Sequence, residues 1–132
     1  MSVQRERVAA FLLLAEEAER AANLLVQAGP RQAAYFLQQC SEMLARAVLT
    51  AAGVAFGPGH NLGQMAEALP RGHAWRDKLL PLDRHSAAAT RFRYPSPTGR
   101  LFDPPSAQRL RDDLQQLHAL LAEAKKQFGR PA

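Results

Sequence analysis

Apolar side chains recur along this chain at steps of three and four, and no segment shows the two-residue alternation of a half-buried strand. Val8, Phe11, Leu12, Ala15, Ala18, Ala22 and Leu25 follow this spacing in the first thirty residues. Ala33, Leu37, Cys40, Leu44, Ala47 and Ala51 follow it in the next stretch. Leu110, Leu114, Leu117, Leu121, Ala124 and Phe128 repeat it near the C-terminus. Each run puts its apolar residues on one face of a helix, which must be covered by another helix. The chain is therefore expected to be all-α.

The breaker residues divide these runs. A first helix is expected over residues 3–28, with Gly29 as its C-terminal cap and Pro30 opening a second helix to about Ala52. So short a connection predicts an antiparallel hairpin. In the second helix Glu42 precedes Arg46 by one turn, the favourable order for an ion pair. Residues 53–59 read as a loop, and Asn61 with Gln64 as a variant capping box that starts a third helix, which stops before Pro70. A fourth piece is expected from Ala74 or Trp75, broken at Pro81 and resumed over residues 86–90. Residues 92–105 hold four prolines and a glycine and cannot form a regular element. The last helix is expected to begin between Asp103 and Ser106, with proline in its first turn, and to end at Gly129 and Pro131. The expected architecture is a bundle of four to five helices with a long Pro-rich loop before the last one. The 132 residues form one domain on this reading.

The charge is concentrated. Residues 71–100 carry seven basic and two acidic side chains, whereas residues 1–70 carry five basic and six acidic ones. Such a field favours an anionic partner, if it is more than a solvated Arg-rich face. Cys40 is the only cysteine, so no disulfide forms within the chain, and its place in an apolar stripe marks it as a buried structural thiol. Arg5 and Arg7 precede an apolar run as in a signal peptide, but Glu16, Glu17 and Glu19 follow at once and the helical period continues through them. The segment reads as a mature helix rather than a targeting signal or membrane span, and the expected location is the cytoplasm. His60, His73, His85 and His118 show no metal-ligand spacing with Cys40 or with each other, and no Gly-rich phosphate loop occurs. No metal and no cofactor are expected.

Three short motifs occur in order: Gln38-Gln39 followed by Glu42, Arg46 and Ala47; His60-Asn61-Leu62; and Arg93-Tyr94-Pro95. Together they resemble the HEPN family, over roughly residues 5–125. The resemblance implies an up-and-down helical bundle, frequent homodimerisation and association with RNA or nucleotides. It also implies a nucleotidyltransferase-like partner, commonly in a toxin–antitoxin pair.

Catalytic members of that family carry Arg, four to six residues, then His. The pair cleaves RNA without metal, His moving a proton and Arg steadying the phosphate charge. Arg111 and His118 are the formal match, two turns apart on one helix. Asp112 and Asp113 beside them would repel RNA, and 14 Arg with four His give about one such spacing by chance. Arg91, Arg93 and Tyr94 cluster at the mouth of the Pro-rich loop, where Arg can grip phosphate and Tyr can stack on a base. Arg84 and His60 complete the candidate ligand-binding set. The leading reading is an interaction protein without a working RNase site. The alternatives are a metal-independent RNase using Arg111 and His118, and a helical adaptor with no nucleic-acid role.

Overall fold

The structure is a computed structural model and describes residues 2–129. The three apolar runs become three long helices: α1 (Val3–Leu25), α2 (Pro30–Ala51) and, last in the chain, α6 (Ala107–Phe128). Between α2 and α6 lie α3 (Leu62–Ala68), α4 (Ala74–Leu79), a 3-10 turn (Leu80–His85) and α5 (Ala88–Arg91). No strand occurs among the described residues. The chain is thus an all-α bundle, carried by three long helices with the short ones laid against them.

Cross-links between the helices fix their directions. The Gln4 side chain at the start of α1 donates to the Thr50 carbonyl at the end of α2, so α1 and α2 run antiparallel. Lys125 of α6 pairs with Glu16, and His118 with Glu19, so α6 also runs antiparallel to α1. The seam of α6 is buried at Leu110, Leu114, Leu117, Leu121 and Ala124. It meets Val8, Leu12, Ala15, Leu37, Leu44 and Val48 in one core. Cys40 is fully buried there, as its position in the stripe predicts. Burial, with Glu19 adding to it, pushes its thiol up to about 12, so it is no nucleophile.

Two helix ends differ from the sequence expectation, the end of α1 and the start of α6. α1 stops at Leu25, not Ala28, and residues 26–28 form a turn closed by the Gly29 N–H on the Leu25 carbonyl at 2.8 Å. Gly29 is not a left-handed cap of α1; its φ is −150° and it serves as the N-cap of α2. Proline disfavours a helical residue before it, so Pro30 keeps Gly29 out of helical geometry and sets the start of α2. The left-handed cap falls instead at Gly53, with φ +72°. There the Gly53 N–H meets the Thr50 carbonyl and the Val54 N–H meets that of Leu49, the two bonds of a Schellman motif. In α6 the prolines precede the helix rather than entering it. Ser106 is the N-cap, and its hydroxyl accepts from the Arg109 N–H at 3.1 Å. Gly129 closes α6 by donating to the Lys125 carbonyl, and Pro131 lies outside the described residues.

The middle segment follows the predicted breaks. Asn61 caps α3, accepting from the Gln64 N–H at 2.8 Å. Asp83 and Ser86 accept from the next two free N–H groups, those of Gly63 and Leu62, each at 2.9 Å. These bonds tie the start of α3 to the 3-10 turn. Pro81 has no N–H to continue α4, and the chain tightens there into 3-10 geometry. Trp75 fills the space under this segment, donating to Gln127 of α6 at 3.0 Å and packing against Phe128. The irregular stretch 92–105 is anchored rather than loose. Ser96 and Arg100 pair across a turn at Gly99, and Arg31 of α2 donates to the Phe102 carbonyl.

Candidate functional site

The Gln-Gln and His-Asn-Leu motifs meet at one carboxylate. Glu42 is 3 % exposed, and three side chains converge on it. Gln38 donates to Oε1 at 3.1 Å, His60 Nδ1 approaches the same oxygen at 2.8 Å, and Arg46 Nε donates to Oε2 at 3.0 Å. Burial alone would raise its pKa. The hydrogen bonds from His60, Gln38 and Arg46 outweigh that and hold the carboxyl below its ordinary value. Arg46 reaches on to the carbonyls of Gly57 and Gly59, and Gln39 donates to Gln38. The network pins the 53–61 loop to α2. His60 is therefore positioned by Glu42 at a helix entry and stands apart from the other candidate ligand residues.

Arg84 and Arg91 do come together. They line a cavity of about 250 Å³ between α2, the 3-10 turn, α5 and the first turn of α6. Arg109 joins them from α6, and Ala34, Leu37, Phe92 and Leu110 supply apolar wall. Asp113 also faces this space. It takes Arg84 Nη2 at 3.0 Å and Arg109 Nε at 3.2 Å, and Arg84 binds Gln116 as well. His85 lines the same cavity at 7 % exposure, and its Nε2 is buried with no hydrogen-bond partner among the described residues. Burial, then the charges of Arg84 and Arg109 working against the opposing pull of Asp113, lower its pKa to about 4. The ring is neutral at pH 7.

Arg93 and Tyr94 lie outside this cavity. The Arg93 guanidinium sits 5.0 Å from the Tyr35 ring centre and 5.4 Å from that of Tyr94, which is 56 % exposed. Arg91 sits 5.5 Å from the ring of Phe102, itself exposed. Among the described residues neither arginine has a carboxylate partner, in contrast to Arg46, Arg84 and Arg109. Aromatic faces orient these two cations without neutralising them.

The Arg111–His118 pair has a different setting. Both side chains are exposed on α6, about 10 Å apart along its axis. His118 Nδ1 is tied to Glu19 Oε2 at 2.7 Å, and Arg111 does not line the cavity that holds Arg84 and Arg91. Among the described residues no group of three His, Cys, Asp or Glu side chains is gathered as a metal would require. No helix of the described residues is long and apolar enough to cross a membrane.

The sequence reading named Arg84, Arg91, Arg93 and Tyr94 as candidates; the structure gathers Arg84 with Arg91 in the cavity and Arg93 with Tyr94 outside it. The same reading missed Tyr35, Arg109, Asp113 and the buried role of His85. The only local signal for Arg109 and Asp113 is their four-residue spacing.

Set against models of known families, the chain matches the HEPN domain over residues 8–126. Comparison with curated proteins and with solved structures gave no match.

Proposed function

The chain belongs to the HEPN domain family, and we propose that within it this protein is an interaction module that binds RNA through the surface at Arg91, Arg93 and Tyr94. The observation that carries this reading is the pair of uncompensated arginines held on aromatic faces. Arg91 over Phe102 and Arg93 between Tyr35 and Tyr94 offer cations for phosphates, beside exposed rings on which bases can stack. The surrounding excess of positive charge draws the strand in.

Pairing with a second copy, or with a nucleotidyltransferase-like chain as in a toxin–antitoxin system, fits the α1 surface. Leu13, Leu14 and Leu24 are exposed there. Beside them a cleft of about 310 Å³ is lined by Leu14, Ala18, Tyr35, Phe36 and Met43. So much exposed apolar surface on a small domain favours a partner.

The RNase alternative would use Arg111 and His118. One experiment separates the readings: titrate a 5′-labelled short single-stranded RNA by fluorescence anisotropy, then run the recovered RNA on a denaturing gel. The expected result is salt-sensitive binding with intact RNA. Cleavage that disappears in His118→Ala would make the protein a nuclease. No binding at low salt would reject the RNA reading.

A further inference from the structure

The cavity behind the basic surface is more than a gap between helices. It brings together a buried imidazole with an unpartnered nitrogen, two arginines with free donors, and apolar wall. Among the described residues Arg109 commits only its Nε, to Asp113, which leaves both Nη groups available, and Arg91 commits no donor. The single carboxylate, Asp113, is already matched by Arg84 and Arg109. With three guanidinium groups around one carboxylate, the cavity stays positive. The start of α6 adds to this, since Pro105 lines the cavity just before the Ser106 cap.

His85 gives the cavity its specificity. A buried ring nitrogen without a partner is costly, and a ligand atom that satisfies it recovers that cost. Burial keeps the ring neutral at pH 7, so it holds one N–H. When that proton is on Nε2, the N–H is a donor without a partner among the described residues, beside the cavity that His85 lines. We propose that this cavity binds a phosphomonoester group, with Arg91 and Arg109 gripping its oxygens and His85 Nε2–H donating to one of them. Donors from three separate elements suit a tetrahedral phosphate better than a planar carboxylate. The volume of about 250 Å³ and the walls of Leu37, Phe92 and Leu110 leave room for a small organic group on the ester. The site is separate from the RNA-binding surface, sharing only Arg91 with it.

The test uses phenyl phosphate and inorganic phosphate as probes, read by calorimetry and by the nitrogen-15 resonances of the His85 ring. Phenyl phosphate should bind wild type in the millimolar range or tighter, and more tightly than inorganic phosphate. Binding should shift the His85 resonances. Arg109→Gln and His85→Phe should each weaken it about tenfold or more, and Arg109→Lys should restore part of the loss. The double variant R93A/Y94A should keep phenyl phosphate binding while losing RNA, so the two sites fail independently. A short RNA with a 5′-phosphate, compared with its 5′-hydroxyl form, tells an RNA end from a free ester as the source of the group. Saturating phenyl phosphate that leaves the His85 resonances of the wild type unmoved would overturn the proposal, whether or not the variants fold. So would equal affinity in wild type, Arg109→Gln and His85→Phe.

Discussion

Replacing Glu42 by Ala tests whether the paired motifs on α2 and the loop act as one structural lock. The carboxylate holds three donors in different surroundings. Gln38 is fully buried, so its amide would lose its acceptor with no water to replace it, a cost of about 1–3 kcal/mol. Arg46 is 17 % exposed at its side chain and keeps its bonds to Gly57 and Gly59, so its loss is only part of that of a buried ion pair. His60 is 59 % exposed at its side chain and water can take over its bond, so it adds little. Together these predict a loss of about 2–4 kcal/mol for Glu42→Ala. Glu42→Gln keeps one acceptor and should lose less. Urea denaturation followed by circular dichroism gives the number, with the slope unchanged if the unfolded state is the same. A double-mutant cycle with Arg46→Ala should show clear coupling, because the two side chains touch. If Glu42→Ala costs less than about 0.5 kcal/mol, the network is not a lock and the reasoning fails.

Three other outcomes follow from named contacts. His85 takes up a proton in the unfolded chain near its ordinary value of 6.5 but in the folded chain only near about 4; stability should therefore fall as pH drops through that window, by up to about 3 kcal/mol, and His85→Phe should flatten this part of the curve in paired urea melts. Gly63→Ala puts a Cβ 2.9 Å from the Asp83 Cγ, on top of the bond that caps α3; a loss of about 1–2 kcal/mol in thermal melts is expected, and an unchanged melting temperature would show that Asp83 moves aside freely. Light scattering should give a mass above one chain for wild type, and Leu14→Glu with Leu24→Glu should lower it to that of one chain; a wild type already monomeric at high concentration would remove the case for pairing through α1.

The long helices were readable because burial leaves a period in the sequence: every third or fourth residue of α6 from Leu110 to Ala124 faces the core. The helix ends were less so. Gly29 next to Pro30 fits either a cap on α1 or the start of α2, and only the folded backbone distinguishes them. The candidate site was legible where its residues are neighbours in sequence, as with Arg91, Arg93 and Tyr94. It was not legible where packing makes the neighbourhood. Tyr35 reaches Arg93 from α2, and Asp113 reaches Arg84 from α6, across spans that no local pattern records. Nothing local marks His85 as buried, because its burial depends on helices elsewhere in the chain.

On the proposed function, RNA is held by a local surface and not by net charge. The salt dependence of binding tests it most directly, because each phosphate contact releases counterions. Arg5 and Arg7 provide a control at the far end of the bundle. Gln4 lies beside Thr50 at the end of α2, whereas Arg93 lies over Tyr35 near its start, about 22 Å away along the helix and well beyond the screening length at physiological salt. Affinity for a short single-stranded RNA should be measured at several salt concentrations for wild type, R91A/R93A and R5A/R7A. R91A/R93A should weaken binding and flatten the plot of log affinity against log salt by about 1–2, while R5A/R7A should stay close to wild type. Equal losses in the two double variants would contradict it and reduce the attraction to overall charge.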